Sequence, residues 1–412
     1  MSTVGRISAI TSRSPARETM ADLHVNENSD IYYQGKYWND LEAVNRRINE
    51  RISGNPSRTW FEHFADVSGR TFERALILNC GNGWVERELL ASGLILEAVG
   101  IDYSEDLLRE AKVAADADRL PLTYEQANIN TGLLPGGHFD LVVNHAAAHH
   151  IAAIDRVFRE LCRMLPEDGW FVSFDYVGPH RNQYAGAAWE EAWDVNRQLP
   201  ESLRQDLRYP HLPTMLVTDP TEAIHSELIV DTFRRYFTIG EFTPLGGAIA
   251  YPLLTHNARL FESTDDAERS EWVDRILEAD DRFLREHPGS TLFAYFTGTP
   301  EKSALNRPAQ LAEWESEEAE RERLAAENGG EYYPRGALST ALIALDTEEW
   351  ENVRSRAQVE ALQSELATLE SGFLYSTIRR VLDADLTLRL RANHVVASVE
   401  RRARAAVGRG SS

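Results

Sequence analysis

Apolar runs and helical stripes alternate along the middle of the chain. Continuous apolar runs bounded by turn residues predict buried strands, and these lie at 75–79, 97–101, 122–128, 139–144 and 169–177. Apolar residues with helical spacing predict helices between the strands, at 84–92, 104–115 and 153–165. Alternating strands and helices are typical of a parallel, doubly wound α/β sheet.

The segments on either side of this alternation have a different pattern. Residues 30–65 read as helical and are rich in Tyr and Trp, and residues 180–235 interrupt the alternation with a similar composition. The pattern predicts further helices at 187–198, 221–236 and 268–286, and further strands at 237–244 and 290–297. Because pockets are commonly lined by such aromatic residues, we expect 30–65 and 180–235 to form a helical lid over the sheet.

A glycine turn follows the first predicted strand. Gly81 and Gly83 carry no Cβ, so the backbone there can approach a ligand closely. Asp102 ends the second predicted strand, where a carboxylate can accept hydrogen bonds from both hydroxyls of a ribose. These positions predict a site for a nucleoside-containing cofactor.

The residue that follows this turn helps to choose the cofactor. The dinucleotide fingerprint G-x-G-x-x-G would place a third glycine where this chain has Glu86. A carboxylate in the first turn of a helix suits the helix dipole, but it repels a diphosphate bound at the same end. The turn therefore favours a cofactor without a diphosphate over one of the NAD type.

The segment Asn79-x-Gly81-x-Gly83 resembles the first motif of the class I S-adenosylmethionine-dependent methyltransferases, which is D/E-x-G-x-G. Asn79 stands where that family usually has an acid. The resemblance covers roughly residues 70–178 and, more distantly, 235–300. It implies a Rossmann-like sheet whose last strand is antiparallel, with S-adenosylmethionine as the cofactor. The cofactor-binding residues that it implies are Asn79, Gly81, Gly83, Asp102, Tyr103, Asn128, Ile129 and Asn144.

Three further segments are similar to a bacterial methyltransferase subgroup that is common in surface-glycan biosynthesis. They are Tyr37-Trp38, residues 175–184 and residues 242–247. This likeness carries no assigned substrate. We predict a small-molecule or glycan-related acceptor, methylated at oxygen. Two other functions stay open: an NAD-type enzyme, or a non-catalytic scaffold with a degenerate cofactor pocket, which Asn79 and Asn128 would suit.

Candidate catalytic residues follow the fourth and fifth predicted strands. A base assists methyl transfer to a hydroxyl, and ligands of such sheets bind at the carboxyl ends of the strands. We predict His180, His150 and Tyr184 as catalytic, with His180 as the preferred base. For His149 and His150 the alternative is helix capping and packing. Arg181 is a candidate for binding an anionic acceptor or for a surface ion pair, and no residues have a spacing typical of a metal site.

Composition narrows the choice of partners. The formal net charge of −22 argues against nucleic acid as the main partner, because a phosphate backbone needs a basic face. The two cysteines, Cys80 and Cys162, lie in apolar segments, so no disulfide framework is expected. Since the chain contains neither an apolar signal core nor a stretch of membrane-span length, we expect a cytoplasmic protein without a transmembrane segment.

The ends of the chain differ from its middle. We expect a disordered segment at 1–28, a methyltransferase domain at 29–300, an acidic linker at 301–349 and a helical, basic extension at 350–412. Within the linker, the acidic, alanine-rich residues 311–328 suggest an exposed helix or linker. A heptad-like stripe in this extension predicts a homodimer through 350–375 or a helix lying on its own domain; its residues are Val359, Leu362, Leu366, Leu369 and Phe373. Residues 371–412 hold eight arginines and three acids, which suits contact with an anionic surface or with the acidic segment of the same chain; a solvated tail is the third alternative.

Overall fold

The computed structural model describes residues 36–332 together with Thr340 and Ala344. The predicted disordered segment 1–28 and the predicted helical extension 350–412 lie outside the described residues. No helix in the described part of the chain combines the length and the apolar character that crossing a bilayer requires.

A seven-stranded sheet forms the centre of the molecule, in the order β3-β2-β1-β4-β5-β7-β6. The strands are β1 (Phe72–Leu78), β2 (Ile95–Asp102), β3 (Leu122–Gln126), β4 (Leu141–His145), β5 (Trp170–Tyr176), β6 (Phe237–Gly246) and β7 (Phe293–Pro300). The first five strands pair in parallel, and β7 is antiparallel to both β5 and β6. The predicted doubly wound sheet with an antiparallel last strand is therefore confirmed.

Helices cover both faces and one edge of this sheet. They are α1 (Glu42–Ser53), α2 (Trp60–Ser68), α3 (Trp84–Ala91), α4 (Glu105–Asp118), α5 (Ile154–Met164), α6 (Gly186–Gln198), α7 (Leu212–Thr218), α8 (Ile229–Tyr236), α9 (Ala250–Leu254), α10 (Ala258–Glu262), α11 (Asp266–Glu286) and α12 (Pro308–Glu327). Short 3-10 turns lie at Trp38–Asp40, Ala148–His150, His180–Asn182, Ser226–Leu228 and Lys302–Asn306.

The helix predicted at 221–236 is wrong over its first half. Only α8 and the turn before it are helical, and Thr221 and Glu222 lie in an irregular loop. The carboxylate of Asp219 accepts hydrogen bonds from the backbone N–H of Thr221 at 3.1 Å and from its hydroxyl at 3.0 Å. Such side-chain bonds compete with the helical backbone pattern, so the loop persists up to residue 225.

Aromatic packing joins the antiparallel edge of the sheet to α8. The rings of Phe233 and Phe237 stack at 4.6 Å between centroids, and Phe171 meets Phe233 at 5.1 Å. Gly298 on β7 permits this approach, because a Cβ there would lie 2.8 Å from the Phe233 ring. The core thus holds the last strands against the parallel part of the sheet.

Nearly all of the acidic, alanine-rich segment 311–328 belongs to helix α12 (Pro308–Glu327), which packs against its neighbours. On α12, Trp314 is buried and its ring lies 5.3 Å from that of Tyr236. Arg235 bonds to Asp155 at 2.8 Å and to Glu317 at 2.7 Å, so it links α8, α5 and α12. Of the two alternatives for this segment, an exposed helix or a linker, the structure shows a helix, and its contacts through Trp314 and Glu317 attach it to α8 beside the sheet.

Candidate functional site

The glycine turn connects β1 to α3 and has the backbone conformation that glycine favours. Asn79, Gly81 and Gly83 all have positive φ, at 42°, 55° and 76°. A Cβ on Gly83 would lie 2.5 Å from the hydroxyl oxygen of Tyr124, so no larger residue fits there. The side-chain amide of Asn79 donates to the carbonyl of Ala147 at 3.3 Å, which ties this turn to the loop after β4.

Asp102 lies beside this turn at the end of β2. Its carboxylate accepts hydrogen bonds from the backbone N–H of Gly81 at 2.9 Å and of Ser104 at 2.8 Å. Burial raises the pKa of Asp102, and these two hydrogen bonds oppose that rise. Each carboxylate oxygen can accept a further bond, so the group has capacity for ribose hydroxyls. Ribose binding by Asp102 stays a prediction.

The residues predicted to hold adenine follow β2 and β3. The side-chain oxygen of Asn128 accepts from the backbone N–H of Asn130 at 2.9 Å and so closes a turn. Ile129 is buried in the main apolar cluster, whereas Tyr103 is half-buried beside Asp102. Their contacts with adenine remain predictions.

Asn144, predicted as a cofactor ligand, is buried on β4. Its side-chain amide donates to Ser173 and to Asp175, both at 2.8 Å, and its oxygen accepts from the backbone N–H of Ala148 at 2.8 Å. These bonds all go to protein groups. The geometry therefore favours a positioning role for Asn144 over direct contact with the cofactor.

Glu86, whose negative charge was the argument against a diphosphate cofactor, is buried on α3. It is fully shielded from solvent, and neither carboxylate oxygen has a hydrogen-bond partner among the described residues. Burial raises the pKa of Glu86 to about 7. The carboxyl is therefore partly protonated near neutral pH, and the expected repulsion of a diphosphate is weaker than the sequence implied.

His149 forms a buried pair with Asp175 where β4 and β5 end. Its Nδ1 lies 2.6 Å from Oδ1 of Asp175, and Oδ2 of the same carboxylate accepts from the backbone N–H of Ala148. Burial opposes the charged imidazolium, but the Asp175 carboxylate outweighs burial and raises the pKa of His149 to about 9. The alternative expected for His149 from the sequence, helix capping and packing, did not include an ion pair with Asp175.

His150 and Glu222 complete a cluster with His149. The Nε2 atoms of His149 and His150 lie 3.7 Å and 3.8 Å from Oε2 of Glu222. The Nδ1 of His150 lies 3.2 Å from the hydroxyl of Thr221. Sequence reasoning missed Glu222, because it placed this residue in the helix predicted at 221–236. Only the loop observed there, which returns over the end of β4, brings Glu222 to the histidines.

His180, the preferred base, is held by two partners away from this pair. Its Nδ1 lies 2.7 Å from the carbonyl of Ile224, and its Nε2 lies 3.3 Å from a carboxylate oxygen of Glu331. Tyr184 packs its ring on Trp189, and burial raises its pKa. The structure thus brings His149, not His180, onto the carboxylate that ends β5.

Arg181 is buried, and His145 at the end of β4 is half-buried. Arg181 is 1% exposed and donates from Nη1 to the backbone carbonyl of Glu222 at 3.0 Å, so the interpretation as a surface ion pair is wrong. The ring of His145 lies 5.2 Å from Phe174 and 5.0 Å from Trp84, and burial lowers its pKa to about 4. His145 is therefore a neutral packing residue.

Comparisons with known sequences agree on one domain. Residues 76–173 match a family model described as a methyltransferase domain. The chain is 26% identical over 104 residues to the uncharacterized methyltransferase YcgJ of Bacillus subtilis, covering 25% of this chain and 41% of that protein. It is 25% identical over 185 residues to EEF1A lysine methyltransferase 4 of Mus musculus, covering 40% and 69%. The chain thus spans less than half the length of the first of these relatives.

Solved structures of low sequence identity are also similar. The crystal structure of YcgJ from Bacillus subtilis has a TM-score of 0.35 at 18% identity, covering 58% of this chain and 97% of that one. Phosphoethanolamine N-methyltransferase 2 of Haemonchus contortus, in complex with S-adenosyl-L-methionine, has a TM-score of 0.39 at 15% identity, covering 68% and 60%.

Proposed function

We propose that this chain, which belongs to the class I S-adenosylmethionine-dependent methyltransferases, transfers a methyl group to a hydroxyl of a small-molecule or glycan-related acceptor. The observation that supports this most is the common location of two groups of residues. The glycine turn, Asp102 and the His149–His150 pair follow the carboxyl ends of the neighbouring parallel strands β1, β2 and β4, and the loop with Glu222 brings its carboxylate to the two histidines there.

The donor set at the glycine turn suits S-adenosylmethionine, the cofactor of this family. Bound there, the cofactor supplies an electrophilic methyl group on a sulfonium. Gly81 and Gly83 allow close backbone approach, and the Asp102 carboxylate suits a ribose diol. The side-chain oxygen of Asn79 is an acceptor suited to an ammonium group.

The acceptor side must hold an oxygen in line with the methyl carbon and the sulfur. Such alignment accounts for a large share of the barrier reduction in reactions of this kind, on the order of several kcal/mol. We place the acceptor oxygen beside His149 and Glu222, where the loop 219–225 crosses the end of β4. With S-adenosylmethionine bound, its methyl carbon would be the electrophile, and the Glu222 carboxylate would accept the proton of the acceptor hydroxyl.

Calorimetry tests the cofactor half of this proposal. We expect S-adenosylmethionine and S-adenosylhomocysteine to bind and NAD not to bind. Asp102→Ala should weaken S-adenosylmethionine binding on the order of tenfold or more, because charge-assisted hydrogen bonds contribute roughly 1.5–3 kcal/mol each. Asp118→Ala, an exposed aspartate at the end of α4, is the matched control. Equal affinity of both variants would contradict the assignment of Asp102.

Methyl transfer tests the acceptor half. The protein is incubated with methyl-labelled S-adenosylmethionine and with separated small-molecule, glycan and protein fractions of a cell extract. We expect label in a small-molecule or glycan fraction, held in a base-stable ether. Label in protein or on nitrogen would contradict the acceptor class. Cofactor binding without any transfer would instead favour the scaffold alternative.

A further inference from the structure

We propose that His149, His150 and Glu222 form a binding site for a divalent transition-metal cation, with Zn²⁺ the ion that the donors suit best. One ligand atom from each residue lies within 4.8 Å of the other two. Two imidazole nitrogens and one carboxylate oxygen are donors typical of zinc sites that keep a position open. The sequence predicted no metal site, because the third ligand is distant along the chain.

The spacing of the ligand atoms suits such an ion. Zinc binds imidazole nitrogen and carboxylate oxygen at about 2.0–2.2 Å, so neighbouring ligands of a tetrahedral site lie roughly 3.3 Å apart. Here Oε2 of Glu222 lies 3.7 Å from Nε2 of His149 and 3.8 Å from Nε2 of His150. Small side-chain rotations would close this difference. The two rings also lie close, at 4.2 Å between centroids.

Outer partners orient both imidazoles. Metal-binding histidines almost always bond through their second nitrogen to a carboxylate, a carbonyl or another oxygen. Nδ1 of His149 meets Asp175 at 2.6 Å, and Nδ1 of His150 meets the hydroxyl of Thr221 at 3.2 Å. Both Nε2 atoms are thereby directed to the same side as Glu222.

Backbone hydrogen bonds hold the two ligand-bearing segments together. The N–H of Ile224 donates to the carbonyl of His149 at 2.9 Å, and the N–H of Arg181 donates to that of Ala223 at 2.7 Å. The loop with Glu222 is therefore fixed over the turn that carries the histidines. A site assembled before binding loses less conformational entropy when the cation enters.

The local charge favours a cation. Asp175, Asp219 and Glu222 surround the imidazoles, and Arg181 is the nearby permanent cation. Together with Arg181, a divalent ion that replaces the proton on His149 would balance the three carboxylates. If the proposed methyl transfer holds, the open position of the ion lies where the acceptor oxygen is expected, and the ion would orient that oxygen and lower its pKa.

Metal titration of the chelator-treated, tag-free full chain tests this site. We expect one Zn²⁺ per chain by equilibrium dialysis, and one Co²⁺ with the visible absorption of a low-coordinate site. Thr221→Val should weaken binding roughly 10–100-fold, as loss of an outer partner does, and Glu222→Gln and His150→Gln should weaken it further. Circular dichroism checks that each variant is folded.

His63→Gln is the matched control, since His63 pairs with Glu241 at 3.2 Å in another part of the fold. We expect this variant to bind Zn²⁺ like the unchanged chain. Equal binding by the Glu222→Gln, His150→Gln and His63→Gln variants, or no binding by the unchanged chain, would overturn the proposal and leave an ordinary histidine–carboxylate cluster. Binding of S-adenosylmethionine is measured by calorimetry in a separate experiment. Loss of metal binding with cofactor binding retained would therefore contradict the metal site and not the proposed function.

Discussion

Glu86→Gln gives a quantitative test of how the glycine turn is built. Glu86 is fully buried on α3, and burial raises its pKa to about 7 from an ordinary 4.5. At ~1.4 kcal/mol for each pH unit, that difference corresponds to about 3 kcal/mol of unfolding free energy. The substitution keeps the shape of the side chain and removes its titration.

The sign follows from where the proton is held. Well below pH 4.5 the carboxyl is protonated in the folded and the unfolded chain, so ionisation costs no stability. As the pH rises to about 7, the unfolded chain loses the proton first, and the folded state becomes relatively less stable. Above that range the full penalty of about 3 kcal/mol is present.

Urea unfolding at a series of pH values measures this effect. We compare the unfolding free energies of the variant and the unchanged chain, because all other titrating groups cancel in their difference. That difference should shift by about 3 kcal/mol in favour of Glu86→Gln between acid and mildly alkaline pH. Glu88→Gln, exposed on the same helix, is the control and should show little change. A difference for Glu86→Gln that stays constant over this range would refute the reasoning.

Three other perturbations test the packing, the lid and the tail. Gly298→Ala should lower stability by roughly 1–3 kcal/mol in thermal unfolding, because the added Cβ would lie 2.8 Å from the Phe233 ring; an unchanged melting temperature would contradict this. Residues 212–228 should gain protection from hydrogen exchange when S-adenosylmethionine and acceptor bind, and no gain would count against a lid. Truncation after Arg335 removes the predicted stripe and spares α12. If the stripe pairs two chains, light scattering should show that the truncated protein is a monomer instead of a dimer. If the stripe lies on its own domain, truncation should lower the melting temperature at constant mass.

The sheet was predictable from the sequence for a local reason. Strands of a parallel sheet are covered on both faces, so they appear as continuous apolar runs such as β1 and β4. The glycine turn was also predictable from the sequence, because a positive φ at Gly81 and Gly83 restricts which residues fit there. The strand bounds were less predictable, as Asp140 shows: it was placed inside the strand predicted at 139–144. Its carboxylate bonds to the backbone N–H groups of Glu73 and Arg74, and β4 begins only after it, at Leu141.

The candidate site depends on contacts that no local pattern encodes. His180 and His149 both follow a strand on a polar loop, and sequence reasoning preferred His180 as the base. Only the folded chain shows that His149 meets Asp175, while His180 bonds to Ile224 and Glu331.

The sequence by itself determined the buried strands of the sheet and the glycine turn, because each depends on burial or backbone conformation within a few residues. The antiparallel last strand was implied by the resemblance to known methyltransferases. Tertiary structure alone decided which polar side chains meet. Glu222 reaches the histidines because Asp219 stops a helix and backbone bonds return the loop over β4. Glu86 holds its proton near neutral pH because packing removes it from water. Both effects depend on contacts between segments that are distant along the chain, which local sequence patterns do not show.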